Sequence, residues 1–184
     1  MFTIRHYCEG DAPAVGRLIA DTYSAFNLDF APPAARGPFL GPFQYARSPD
    51  MAHQEAIAQV IRSEMVFVAE DDGEIVGVLR GRQERLASLF VRSDHHRQGI
   101  GRALVERFEQ ECLRRGTRVI RVAATLYALP FYLAMGYKRS TGVRSGRSFE
   151  GRGLPFQPMR KVLGEVESGR AGNGSRDGRL SECL

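Results

Sequence analysis

Cysteine is scarce. Cys8, Cys112 and Cys183 are odd in number, far apart and in no C-x-x-C arrangement, which argues against a disulfide framework and against a structural zinc site. Lysine is scarcer still: Lys138 and Lys161 stand alone, and the remaining basic charge is carried by arginines scattered along the chain. A net charge of +5 and a pI near 9.4 would suit a nucleic-acid partner, but no basic run is present to track a phosphate backbone, and none is expected to bind. No stretch approaches the roughly 18 apolar residues of a membrane span. Residues 1–7 lack a basic segment followed by a long apolar one. These absences predict a cytoplasmic protein with no membrane partner. His95 and His96 have no third or fourth ligand at suitable spacing, so no metal is expected.

What is present is ordinary globular composition, 43% hydrophobic and 26% charged over 184 residues, enough for one domain with its own core. That domain is expected over 1–163. Residues 164–184 hold Gly164, Gly169, Gly172, Gly174 and Gly178 with few large apolar side chains. Such a tail cannot offset its ordering entropy and is expected to be disordered.

Along the chain, a short strand at Ile4 precedes a helix started by Asp11 and Pro13, with Val15, Leu18, Ile19, Thr22 and Phe26 at helical spacing. Periodicity then vanishes over 28–49, where prolines alternate with Phe30, Phe39, Phe43 and Tyr45; no regular structure is expected there. Ser48 and Pro49 read as the cap and first residue of a helix carrying Ile57, Val60 and Ile61. Strands are expected at 65–69, 74–79 and 86–91, the first two joined by an Asp71-Asp72-Gly73 hairpin. Ile100, Leu104, Phe108 and Cys112 recur every four residues, with Arg102, Glu106 and Glu109 facing elsewhere, until Gly116 ends the strongest helix. A strand at 118–123, a short helix at 127–135 and strands from 137 and 157 complete the series.

The most informative segment is 89–104, a strand feeding a polar turn, His96-Arg97-Gln98-Gly99-Ile100-Gly101, that enters this helix. Strand, glycine loop and helix together make an anion site, since glycine admits close backbone approach and the helix N-terminus presents free N–H groups. A Walker A loop would need Gly-Lys-Ser/Thr where Gly101-Arg102-Ala103 stands, and a dinucleotide fingerprint would need a small residue where Leu104 stands. The turn instead resembles the Q/R-x-x-G-x-G/A signature of the GNAT superfamily of N-acetyltransferases, with His96 departing from the usual first residue. The family's A-x-x-F-Y-x-x-x-G-F/Y segment is matched by Ala128 to Tyr137, in the right order, and the Asn that usually ends the preceding strand is replaced by Thr125. The resemblance spans 3–162 and is firmest over 86–137.

The resemblance implies an α/β (α+β) fold: a central mixed, mostly antiparallel twisted sheet of about six or seven strands, flanked by about four helices, with a V-shaped splay between the fourth and fifth strands. It implies acetyl-CoA as co-substrate. The pyrophosphate would lie on the turn from His96 through Arg97, Gln98, Gly99, Ile100, Gly101, Arg102 and Ala103, and the pantetheine arm along Leu89, Phe90 and Val91, with Thr125 contacting that arm and Phe131 also binding the cofactor. Tyr132 falls where a phenol protonates the departing thiolate. Many members carry a basic Glu where Ala87 stands here, while Glu64, Glu70, Glu84 and His53 read as solvated surface residues. The implied activity is transfer of an acetyl group to a primary amine of a small molecule or peptide, the alternative being a CoA-binding module without turnover. The acceptor is expected over 28–49 and the hairpin at 146–155, where aromatics would suit an apolar amine and Asp29 or Asp50 a cation. Exposed strand edges leave a homodimer open.

Overall fold

The computed structural model describes residues 1–147 and 149–164. Apart from Gly164, the expected tail at 164–184 lies outside the described residues.

Eight strands form one sheet: β1 (Thr3–His6), β2 (Met65–Asp71), β3 (Glu74–Arg82), β4 (Arg85–Val91), β5 (Val119–Thr125), β6 (Lys138–Arg139), β7 (Arg144–Gly146) and β8 (Leu154–Val162). Their order is β1-β2-β3-β4-β5-β8-β6, with β7 also paired to β8. All pairings are antiparallel except β4 with β5. The helices are α1 (Ala12–Asn27), the single turn α2 (Gly37–Leu40), α3 (Met51–Ile61), α4 (Ile100–Arg114) and α5 (Leu129–Ala134). The additions to the expected architecture are small: the three-residue strand β7 beside β8, and the one-turn α2.

Two apolar layers hold the sheet. On one face α4 and α5 bury Ile100, Leu104, Phe108 and Tyr132 against Phe67, Leu79 and Val122. On the other, α1 and α3 bury Val15, Ile19, Ile57 and Ile61 against Val66, Val78 and Phe90. Each fully buried aliphatic or aromatic side chain contributes about 1.5–3 kcal/mol of transfer free energy, so the four-residue spacing on α4 is what fixes that helix to the sheet. The hairpin reads as expected, with Asp72 and Gly73 both at positive φ between β2 and β3. No helix among the described residues is long and apolar enough to cross a membrane.

Four expectations are corrected. Residues 28–49 are folded: 3-10 turns at Pro33–Ala35 and Gly41–Tyr45 flank α2, each with proline in its first positions, and Leu28, Leu40, Phe43 and Ala46 are buried. Proline fixes φ for a helical first turn, so successive prolines make a chain of short turns too brief to show periodicity. The cap of α3 is Asp50, whose carboxylate accepts the Ala52 N–H at 2.8 Å; Ser48 accepts from the Asp50 N–H one step earlier. Glu109 does not face solvent, because Lys161 on β8 reaches both its oxygens at 2.8 and 3.0 Å. The last strand begins at Leu154, paired there with Gly146.

Candidate active site

β4 and β5 pair only at Arg85 with Arg121 and Leu86 with Val122. Beyond Leu86 they part, and this is the expected splay. A register shift between Arg80 and Gly81 in the β3–β4 ladder bends β4 at the same level. The Arg92 N–H donates to the Val76 carbonyl at 2.8 Å, and antiparallel alternation then turns the backbone of Phe90 toward β3 and those of Leu89 and Val91 into the gap. Of the three expected strand residues, Phe90 thus contributes a side chain buried beneath α1 and α3. Leu89 and Val91 offer main-chain groups. The Val91 carbonyl is already engaged, accepting from His96 Nε2 at 2.8 Å. The histidine in the first position of the turn therefore ties the loop to the strand.

Gly99 sits at φ +86° as the N-cap of α4, and no atom lies within 4 Å of where its Cβ would be. Arg97, also at positive φ, brings the chain into this turn. The first bond of α4 runs from the Ala103 N–H to the Gly99 carbonyl at 2.9 Å, so the N–H groups of Gly99, Ile100, Gly101 and Arg102 have no intrahelical acceptor. No acidic side chain occupies the first turn. Asp94, the nearest carboxylate in sequence, is held at about 2 by hydrogen bonds from His95 and Arg92. Ile100 itself is anchored in the core, Gln98 donates to the Asp94 carbonyl at 3.0 Å, and Arg97 and Arg102 lie exposed at the rim. An open glycine, unpaired N–H groups and a positive helix end fit a diphosphate.

On the far wall, Thr125 ends β5 opposite Phe156 and its carbonyl accepts the Ala128 N–H at 3.0 Å. The Phe131 ring lies 3.4 Å from where a Cβ on Gly101 would stand, which places α5 against the first turn of α4. Tyr132 is 4% exposed, with ring centroids of Phe131 and Tyr137 at 5.2 and 5.4 Å. Its hydroxyl bonds to no described residue, and burial raises its pKa well above that of an ordinary phenol. Burial thus keeps the phenol protonated at neutral pH. Phe26 stacks on Tyr127 at 5.0 Å and lies tilted against His96 at 4.9 Å, linking the loops that follow β4 and β5.

The four residues read as surface groups are all engaged: Glu84 with Arg121, Glu64 with Arg115, Glu70 with Arg5, and His53 with Ser48 and the face of Tyr45. Ala87 leaves the usual carboxylate position without one. On the α1 side, the two segments expected near the acceptor meet. The Arg152 N–H donates to the Pro38 carbonyl at 2.7 Å, and a Cβ on Gly41 would collide with the Phe149 carbonyl oxygen. Phe149 enters between Phe43, Tyr23 and Phe90, with centroids 5.0 to 5.8 Å away. Tyr23, Arg80 and Phe149 carry no local signal in the sequence; register and a distant hairpin bring them together. A concavity of about 650 Å³ lies between α1 and the β2–β3 turn, and its acids Asp11, Asp21 and Glu74 are already paired with Arg5, Arg47 and Arg92. Among the described residues no three His, Cys, Asp or Glu side chains gather to hold a metal.

A sheet split between its one parallel pair, facing a helix that opens on glycine, is the architecture of acyl-CoA-dependent acetyltransferases. The family model of the acetyltransferase (GNAT) domain matches residues 41–163, and the chain belongs to that family. Human N-acetyltransferase 8 is 35% identical over 101 residues, covering 48% of this chain and 42% of that protein, so the match spans less than half of the curated relative. A GCN5-related N-acetyltransferase from Rhodopseudomonas palustris shares the fold at a TM-score of 0.69 and 20% identity, over 88% of this chain and 95% of the other. The PaiA N-acetyltransferase of Thermoplasma acidophilum, solved with coenzyme A, does so at 0.61 and 12%, over 89% and 99%.

Proposed function

We propose that the protein transfers the acetyl group of acetyl-CoA to a primary amine of a small molecule or peptide. The observation that carries this reading is the splay itself, two ladder pairs and then an open gap beside Leu89 and Val91, directly below the glycine-capped end of α4. Acetyl-CoA supplies the acetyl group in thioester-activated form. The N–H groups from Gly99 to Arg102 hold its diphosphate, with Arg97 and Arg102 adding charge at the rim. The main chain of Leu89 and Val91 pairs with the amide-bearing arm as a neighbouring strand would. The Val91 N–H is the donor left to an oxygen that gains negative charge.

Tyr132 gives its hydroxyl proton to the thiolate as the thioester carbon–sulfur bond breaks, and the attacking nitrogen releases its proton to water. With Ala87 in the usual base position and the nearby carboxylates ion-paired, water is the acceptor open to that proton. The test is calorimetric binding of acetyl-CoA followed by thiol release with an amine panel, in the wild type and Tyr132→Phe. Unchanged affinity with turnover slowed 100-fold or more is expected of a lost general acid. Equal turnover removes Tyr132 from the mechanism, and binding without turnover on any amine favours a CoA-binding module.

A further inference from the structure

Arg80 lies on β3 directly opposite Ser88 of β4, beside the point where β4 and β5 part. Its side chain is on the α1 and α3 face with Val66, Val78 and Phe90. Nε donates to the Ile61 carbonyl at 3.0 Å, the last turn of α3, and the guanidinium carbon stands 5.8 Å from the centroid of Phe149. No carboxylate among the described residues lies within ion-pair distance, and its two terminal nitrogens bond to nothing there. Ser88 Oγ, at the paired position, is buried and also without a partner. Arg36, Arg144, Arg147 and Arg152, on the two segments that close this side, form no ion pair among the described residues either. The acids on those segments, Asp29 and Glu150, are exposed.

Resting on the acetyltransferase reading, we propose that the acceptor carries a carboxylate as well as its amine, as an amino acid does, and that Arg80 and Ser88 bind that carboxylate. The guanidinium fork can meet a carboxylate with two parallel hydrogen bonds, and Ser88 can add a third. One of its N–H groups serves α3, which leaves the fork free. A cation taken from water without a counter-charge is unfavourable; burial alone lowers the Arg80 pKa to about 10, so it remains charged at neutral pH.

The experiment compares the twenty amino acids, their carboxamides and the matching decarboxylated amines as acceptors, with acetyl-CoA binding measured in parallel. Acids are expected to exceed amides by roughly 10- to 100-fold in kcat/KM, the range of one or two hydrogen bonds to a charged group. Arg80→Met is expected to erase that preference by raising KM for acids while leaving KM for amides within about twofold. An Arg80 that only closes α3 would lower kcat/KM for acids and amides alike, and that result overturns the proposal. Amides or amines acetylated as well as acids, or no acid acetylated while acetyl-CoA binds, also overturn it and leave the acetyltransferase reading standing. Absence of acetyl-CoA binding defeats that reading first. Should the methionine variant fail to fold, Arg80→Lys keeps the charge without the fork and is expected to lose most of the preference.

Discussion

Substituting Gly99 and Gly101 by alanine separates what the turn does for the fold from what it does for the ligand. At Gly99, φ is +86° with open space around the missing Cβ. An alanine there meets no clash and pays only for the left-handed conformation, about 1–2 kcal/mol. For a chain of this size each kcal/mol shifts Tm by roughly 2–4 °C, so a fall of about 2–8 °C is expected. Gly101 is helical, and its Cβ would stand 3.4 Å from Phe131 and 3.7 Å from Val91, ordinary contacts. Alanine is the better helix former by up to about 1 kcal/mol, so Gly101→Ala is expected to leave Tm unchanged or raise it by roughly 1–3 °C. Both methyl groups occupy space an anion must enter. Loss of one charge-assisted hydrogen bond, about 1.5–3 kcal/mol, corresponds to a 10- to 100-fold weaker acetyl-CoA Kd. Thermal melts of the free variants and calorimetry with acetyl-CoA read the two effects separately. A Gly99→Ala protein as stable as wild type, or a Gly101→Ala protein with wild-type affinity, would refute the reasoning.

Asp11, 8% exposed, is lowered from 3.8 to about 2, chiefly by its paired bonds from Arg5. A depressed carboxylate stabilises the fold above its unfolded pKa and loses that contribution as pH falls through its folded one. Nearly two units correspond to about 2 kcal/mol, so Asp11→Asn should lower stability by that much at pH 7 and match wild type near pH 2, as read by urea denaturation. Lys161→Met strands the Glu109 carboxylate in the interior at a cost of about 3 kcal/mol. The double variant with Glu109→Gln should recover most of this, and a silent single variant would show that the pair adds nothing.

What the sequence made legible is what repeats within a few residues. Ile100, Leu104, Phe108 and Cys112 announce α4, Asp72-Gly73 announces its hairpin, and the turn at Gly99 announces the glycine-capped start of α4. Glu109 was misread because its partner, Lys161, lies 52 residues away on a strand that no helical period can foresee. Residues 28–49 were misread because each proline begins a turn that ends before a second period appears. Arg80 was invisible: beside Leu79 and Gly81 it looks like one more surface arginine, and only the bulge in the β3–β4 register and the arrival of Phe149 bury it. Main-chain geometry could be read from glycines, whereas the placement of buried polar side chains needed the fold.

The closure between 38–41 and 149–152 joins stretches more than a hundred residues apart through one backbone bond and a few ring contacts. Such a long loop is costly to close before the strands between its ends are assembled, so this seam forms late in folding. Contacts formed last around few hydrogen bonds are also the first to open in the native state, at a free energy below that of global unfolding. On the proposed reading, the acceptor side is thus the part that opens most readily, while the donor side, anchored through α4, stays assembled. On that reading, entry of the second substrate need not wait on any rearrangement of the first one's site.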